Sequence, residues 1–336
     1  MSLGKLFVHI GGPKTGTTAI QSALAEKRQT LRENGFLYPG IEINQQLAMY
    51  PLIRVPGYDH FVSKDPTLWN ETIAEVNDWS GDVILSGEAL FMAPAEVVAE
   101  ILKSFKNTQI KILITARSGH EIVVSHWQES VKAGDSISLA QYADEVALGP
   151  EHATWKSFTY WAIAYCGSPI DTWASVAGIE NVVVQSVDTT KNDETLRCFE
   201  EIVGVPSGLL GTSSRNPINR SLTLSETELI RSCNEILLGG SPSNHHYSTL
   251  EHGVILNILS KSPSVDDPKI QLPVSYYESI APFVNAEVER ILNSGARIVG
   301  DSSLLTRMPE TVGDSRLSQI KVDLDVIRIV LEHYLQ

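Results

Sequence analysis

Gly11-Gly12-Pro13-Lys14-Thr15-Gly16-Thr17-Thr18 is the stretch that decides the fold. Just before it, Leu6-Phe7-Val8-His9-Ile10 is a short apolar run stopped by turn residues, the pattern of a buried strand. Just after it, Ile20, Leu24, Lys27 and Leu31 recur at helical spacing, and Gly35 behind Arg32 suits a helix C-terminus. The chain therefore opens strand, glycine-rich turn, helix. Glycine lets a backbone approach an anion closely, and the helix start at Gly16 to Thr18 offers N–H donors and the positive end of the dipole. Lys14 adds a full charge, and three threonine hydroxyls add donors. The constellation suits a phosphate, or a sulfate joined to one.

Working outward, the alternation repeats. Asp65-Pro66 opens a helix through Trp79, Asp82 to Ser86 is a strand, and Pro94 to Phe105 is a helix. Ile110 to Thr115 is a strand, and Ser118-Gly119-His120-Glu121 has the capping-box form that starts the next helix. Helices are expected at Trp155 to Tyr165 and Pro169 to Val176, a strand at Asn181 to Gln185, and a helix at Glu194 to Val203. Continuously apolar strands alternating with helices predict an α/β, P-loop-type three-layer fold: a central parallel sheet with helices on both faces. Beyond Ser207 strand signals fade, and helices are expected at 225–238, 249–260, 276–293 and 319–335. The expected division is a core over residues 1–206 and a mainly helical portion over 207–336 that packs on it.

The 336 residues carry a formal net charge of −14, which argues against a broad basic face for nucleic acid or anionic lipid. Cys166, Cys198 and Cys233 are far apart and form no CxxC pair, so buried free thiols are expected rather than a metal or redox site. No apolar stretch is long enough to span a membrane and Met1 to Ile10 has no signal-peptide pattern, so the expectation is a cytoplasmic protein.

The loop is not a Walker A motif, because Lys14 precedes Gly16 instead of following the last glycine. No strand ends in a Walker B aspartate, which disfavours a magnesium-dependent kinase or NTPase. Arg117 follows a strand and Ser125 lies in the helix after it, on one stripe with Ser118. Both are placed to reach one phosphate at the carboxyl edge of a parallel sheet. A surface arginine and an ordinary helical serine are the plain alternative.

Pro13-Lys14-Thr15-Gly16-Thr17-Thr18 resembles the P-K-[ST]-G-T-T loop of PAPS-dependent sulfotransferases, where PAPS is 3′-phosphoadenylyl sulfate. The resemblance covers roughly the first 200 residues, and its specific motifs only a small part of them. It implies that Gly12, Pro13, Lys14, Thr15, Gly16, Thr17 and Thr18 hold the 5′-phosphosulfate of PAPS. By the same resemblance Arg117 and Ser125 bind the 3′-phosphate. The family's R-K-G segment near the C-terminus is missing, and Arg297-Ile298-Val299-Gly300 is a poor substitute. Arg215 and Arg220, in a polar loop, are the alternative residues to close the nucleotide site; a solvated loop with two stray arginines reads equally well.

Sulfuryl transfer needs a cation at the leaving oxygen, for which Lys14 is placed, and a base for the acceptor proton. Glu88, just past the strand at 82–86, is the expected base, with a solvated charge or helix cap as the alternative. His9 and His126 are expected to be packed, and His245-His246 is a weak metal motif. No metal is needed. The acceptor is a hydroxyl or amine of a carbohydrate, lipid or small metabolite. Trp127, Trp155, Tyr160 and Trp161 either line its cleft or belong to the core. Two further readings are an atypical nucleotide-dependent kinase or NTPase and a non-catalytic nucleotide-binding scaffold. Apolar residues around the helix at 319–335 suit either core packing or self-association of copies.

Overall fold

A computed structural model describes residues 4–53, 65–106, 109–154, 160–161, 164, 167–211, 221–238, 255, 258 and 270–310. Its centre is a six-stranded sheet in the order β2-β3-β1-β4-β5-β6. The strands are β1 (Lys5–His9), β2 (Phe36–Leu37), β3 (Asp82–Ser86), β4 (Gln109–Ala116), β5 (Val182–Ser186) and β6 (Arg297–Val299). Every adjacent pair runs parallel. The expected α/β class with a parallel sheet is what the chain adopts.

Side chains alternate between the faces of a strand, and both faces of β1 are buried: Leu6 and Val8 are fully buried and Phe7 is 2% exposed. That is why the run reads as continuously apolar. One face packs under α1 (Thr17–Glu26), α2 (Arg28–Glu33) and α9 (Asn192–Val203). Phe7, Ile20, Leu24, Leu31, Leu196 and Phe199 form that cluster. Each such side chain contributes about 1.5–3 kcal/mol on burial. In the same unit Trp173 of α8 (Gly167–Ala177) is fully buried and donates its Nε1–H to Leu90 O at 3.2 Å.

The chain divides into two compact units. The first comprises Met1–Gly119, Ala162–Ser214 and Val284–Arg307 and contains the sheet; the second comprises His120–Trp161, Arg215–Phe283 and Met308–Gln336. The second holds nearly all of α6 (Gly119–Lys132), together with α7 (Leu139–Ala147) and α10 (Leu224–Leu238). Within it Trp127 Nε1–H donates to Ile137 O at 2.9 Å, and Asn234 Nδ2 donates to Val131 O and Asp135 O, each at 2.7 Å. A long helix, α11 (Val274–Asn293), runs through the division.

Several elements depart from the sequence reading. The helix expected to run past Lys27 is two helices, α1 and α2, meeting at Lys27. The short β2, α3 (Gln46–Met49) and α7 were not anticipated, although Ser138 and Gln141 form a complete capping box at the start of α7. Strand structure also returns late: Arg297–Val299 pairs with β5 at the sheet edge. Three residues of strand give too little periodicity to be seen. The expected helix at 319–335 and most of that at 249–260 lie outside the described residues, as do Arg215, Arg220, Trp155, Cys166, His245 and His246. Among the described residues no helix is long and apolar enough to cross a membrane.

Candidate anion-binding and transfer site

The chain leaves β1 toward β2 and leaves β4 toward β5. The carboxyl ends of β1 and β4 therefore border the point where connections diverge, the crevice in which open parallel sheets bind ligands. The loop of Gly11 to Gly16 sits there. Ile10 N–H donates to Leu113 O at 2.9 Å and Gly12 N–H to Thr115 O at 3.3 Å, which ties the loop's start to β4. Thr15 is fully buried; its hydroxyl lies 2.7 Å from that of Thr115 and also bonds Gly12 O. Thr15 thus spends its hydroxyl on the loop and on β4.

Three residues of the loop hold positive φ: Gly11 at 23°, Lys14 at 66° and Gly16 at 84°, the last as the N-cap of α1. Lys14 is the one described residue other than glycine with positive φ. A side chain in that region costs on the order of 1 kcal/mol, and such strain gathers at functional sites. No side chain caps α1, so its first N–H groups face the loop without a built-in acceptor of that kind.

Arg117, one residue past β4, donates from Nη1 to Lys14 O at 3.2 Å. The first βα turn and the arginine expected at the 3′-phosphate are therefore in direct contact. Thr17 Oγ1 donates to Glu88 Oε1. Glu88 heads a 3-10 turn (Glu88–Met92), fixed by the bond from Gly87 N–H to His9 O at 3.1 Å. Lys14, Arg117, Thr17 and Glu88 are thus linked pairwise around one loop, and Lys14, Glu88 and Arg117 are each half-buried. Pro13 and Thr18 are half-buried on the same turn, and Gly12 is buried. Ser125 belongs to α6 in the second unit; it is half-buried and its Oγ donates to Ile122 O at 2.9 Å.

Beneath the loop lies a polar cluster that sequence reasoning missed. His9 Nδ1 is 2.9 Å from Ser86 Oγ, which also receives Gln21 Nε2 at 3.1 Å. Gln21 Oε1 receives Asn44 Nδ2 at 3.1 Å, and Gln45 Oε1 receives Ser86 N–H at 2.7 Å. Burial alone pushes the His9 imidazole down to about 4, so it is neutral. The signal was a histidine and a serine closing the apolar runs Leu6-Phe7-Val8 and Val83-Ile84-Leu85.

His126 is packed as expected: its Nδ1 is 2.6 Å from Tyr142 Oη and the rings stack. Trp127, Tyr160 and Trp161 are buried in the second unit, which places them in its core rather than on an open cleft. Burial raises the thiols of Cys198 and Cys233 to about 11. A second anchored turn follows β5. Asp188 takes both guanidinium arms of Arg307, at 2.7 and 3.1 Å, and these bonds hold its carboxyl far below the usual range.

No protein-family model matches the chain, and no curated protein does. Among solved structures, the crystal structure of a sulfotransferase from Alicyclobacillus acidocaldarius superposes with a TM-score of 0.47 at 15% sequence identity. The match covers 89% of this chain and 98% of that one. Overlap this loose assigns neither fold family nor activity.

Proposed function

We propose that the chain is a sulfotransferase that moves the sulfuryl group of PAPS to an acceptor hydroxyl or amine. The reading is carried by one observation: Arg117 clasps the backbone of a lysine-bearing, left-handed turn at the head of a helix, in the crevice of a parallel sheet. The P-K-[ST]-G-T-T resemblance of Pro13 to Thr18 adds the choice of ligand. The turn from Gly12 to Thr18, braced from within by the buried Thr15, would hold the 5′-phosphosulfate through Lys14 and the amides at the head of α1, and Arg117 would hold the 3′-phosphate.

In the transfer, the bond between sulfur and the bridging oxygen of the donor breaks while the acceptor's oxygen or nitrogen bonds to sulfur. The electron pair stays with adenosine 3′,5′-bisphosphate. Lys14 and the first amides of α1 stabilise that negative charge. Glu88 takes the acceptor proton, and Thr17 orients its carboxylate by donating to Oε1. The chemistry relies on positioning and charge, as loose in-line transfers do.

The test is release of adenosine 3′,5′-bisphosphate from PAPS in the presence of a panel of phenol, sugar and amine acceptors. Glu88→Gln should cut turnover about 100-fold or more, within the range for loss of a general base, while nucleotide affinity changes less than about threefold. Undiminished turnover by Glu88→Gln removes Glu88 from its role. No acceptor-dependent release from PAPS by the unaltered chain removes the reading.

A further inference from the structure

The imidazole of His9 is 1% exposed, and its Nδ1 meets Ser86 Oγ. Its Nε2 is buried without a hydrogen-bond partner among the described residues. That nitrogen is turned up against the loop: a Cβ built on Gly11 would lie 3.0 Å from it and 2.9 Å from Thr115 Oγ1. Gly11 itself has φ 23°. A buried polar atom left unpaired costs about 1–3 kcal/mol, so an unused nitrogen directly beneath a strained loop calls for a physical reason.

Peptide geometry supplies one. The N–H and C=O of a trans peptide point in opposite directions, so a loop peptide that turns its N–H out to an anion turns its carbonyl inward. His9 Nε2, 3.0 Å from where a Cβ on Gly11 would sit, is the neighbouring donor such a carbonyl could meet. Ser86 can donate its hydroxyl to Nδ1 while accepting from Gln21 Nε2, which leaves the ring proton on Nε2.

We propose that His9 is a positioning residue for the anion loop: its Nε2–H donates to a loop carbonyl that turns inward when an anion is bound above. The proposal rests on the anion-binding part of the reading above. Through Ser86, Gln21 and Asn44 the same side chain is joined to Gln46, whose N–H donates to Asn44 Oδ1 at 3.0 Å, and so to α3. A Cβ built on Gly87 would lie 2.8 Å from Met49 Sδ, so α3 packs on the residue before Glu88. His9 thereby ties the donor loop to the segment that carries the proposed base.

Two variants separate the ring nitrogens. His9→Asn keeps a polar atom near the Nδ1 position and loses Nε2; His9→Gln does the reverse. Affinity for inorganic sulfate and for adenosine 3′,5′-bisphosphate is measured by calorimetry on the full chain. His9→Asn should lose about tenfold, the worth of one hydrogen bond, and His9→Gln less than about threefold. In the unaltered chain, nitrogen-15 spectra of the histidine rings should show a protonated Nε2 for His9 whose signal moves on saturation with sulfate. That measurement decides the matter if either variant fails to fold. Equal affinity in all three proteins, equal loss in both variants, or an Nε2 signal indifferent to sulfate overturns the proposal. Binding of sulfate but not of the bisphosphate would sink the nucleotide reading alone, and the order of the variants on sulfate would still be read. Binding of neither would sink both.

Discussion

Acidification should unfold this protein earlier than its carboxylates alone would require, and His9 is the reason. In the folded chain the imidazole titrates at about 4, against an ordinary value of 6.5, because burial disfavours its charged form. Its described contacts, Ser86, Phe199 and Gly11, carry no charge that would offset this. A depressed histidine binds its proton more tightly in the unfolded chain, so its contribution is intact above pH 6.5 and is lost as pH falls toward 4. The full shift corresponds to about 3 kcal/mol, of which about 2 kcal/mol disappears between about pH 7 and about pH 5. Urea denaturation of the unaltered chain and of His9→Gln across that range isolates the term. The difference in unfolding free energy between the two should shift by about 2 kcal/mol in favour of His9→Gln on acidification, whatever its value at neutral pH. Parallel stability curves for the two proteins would refute the burial argument.

Other consequences are local. Gly16→Ala meets only Thr189 Cγ2, at 3.6 Å, so its cost should be backbone strain at φ 84°. A loss of about 1 kcal/mol is expected, read as a lower melting temperature. Glu200 is 2% exposed and its carboxylate accepts Gly208 N–H and Leu210 N–H, both at 2.7 Å. Glu200→Gln turns an amide NH₂ toward one of these donors and should cost about 2 kcal/mol in urea denaturation, whereas Glu201→Gln, an exposed neighbour, should be silent.

The sheet was readable from the sequence where strands are long and buried on both faces. Asp82–Ser86 was found to the residue, and the strands of Leu6, Ile110 and Val182 within about one, because apolar runs between turn residues admit few other readings. Phe36–Leu37 and Arg297–Val299 were not, because two or three residues carry no period and their placement depends on neighbours distant in the chain. At the site, the loop, Arg117 and Glu88 were visible as residue types at strand ends. The links among them were not: Arg117 to Lys14 O spans 103 positions and Thr17 to Glu88 spans 71. The buried His9–Ser86–Gln21 cluster was hidden for the same reason, since its members look like isolated polar residues in three separate elements.

Calorimetric titration of the unaltered chain and of Lys14→Ala with adenosine 3′,5′-bisphosphate, beside ATP with magnesium, probes the proposed donor site most directly. The bisphosphate should bind without metal and more tightly than ATP, and Lys14→Ala should weaken it about tenfold or more, the scale of a charge-assisted contact. Silence toward the bisphosphate at high micromolar concentration, or a magnesium-dependent preference for ATP that Lys14→Ala leaves untouched, would contradict it.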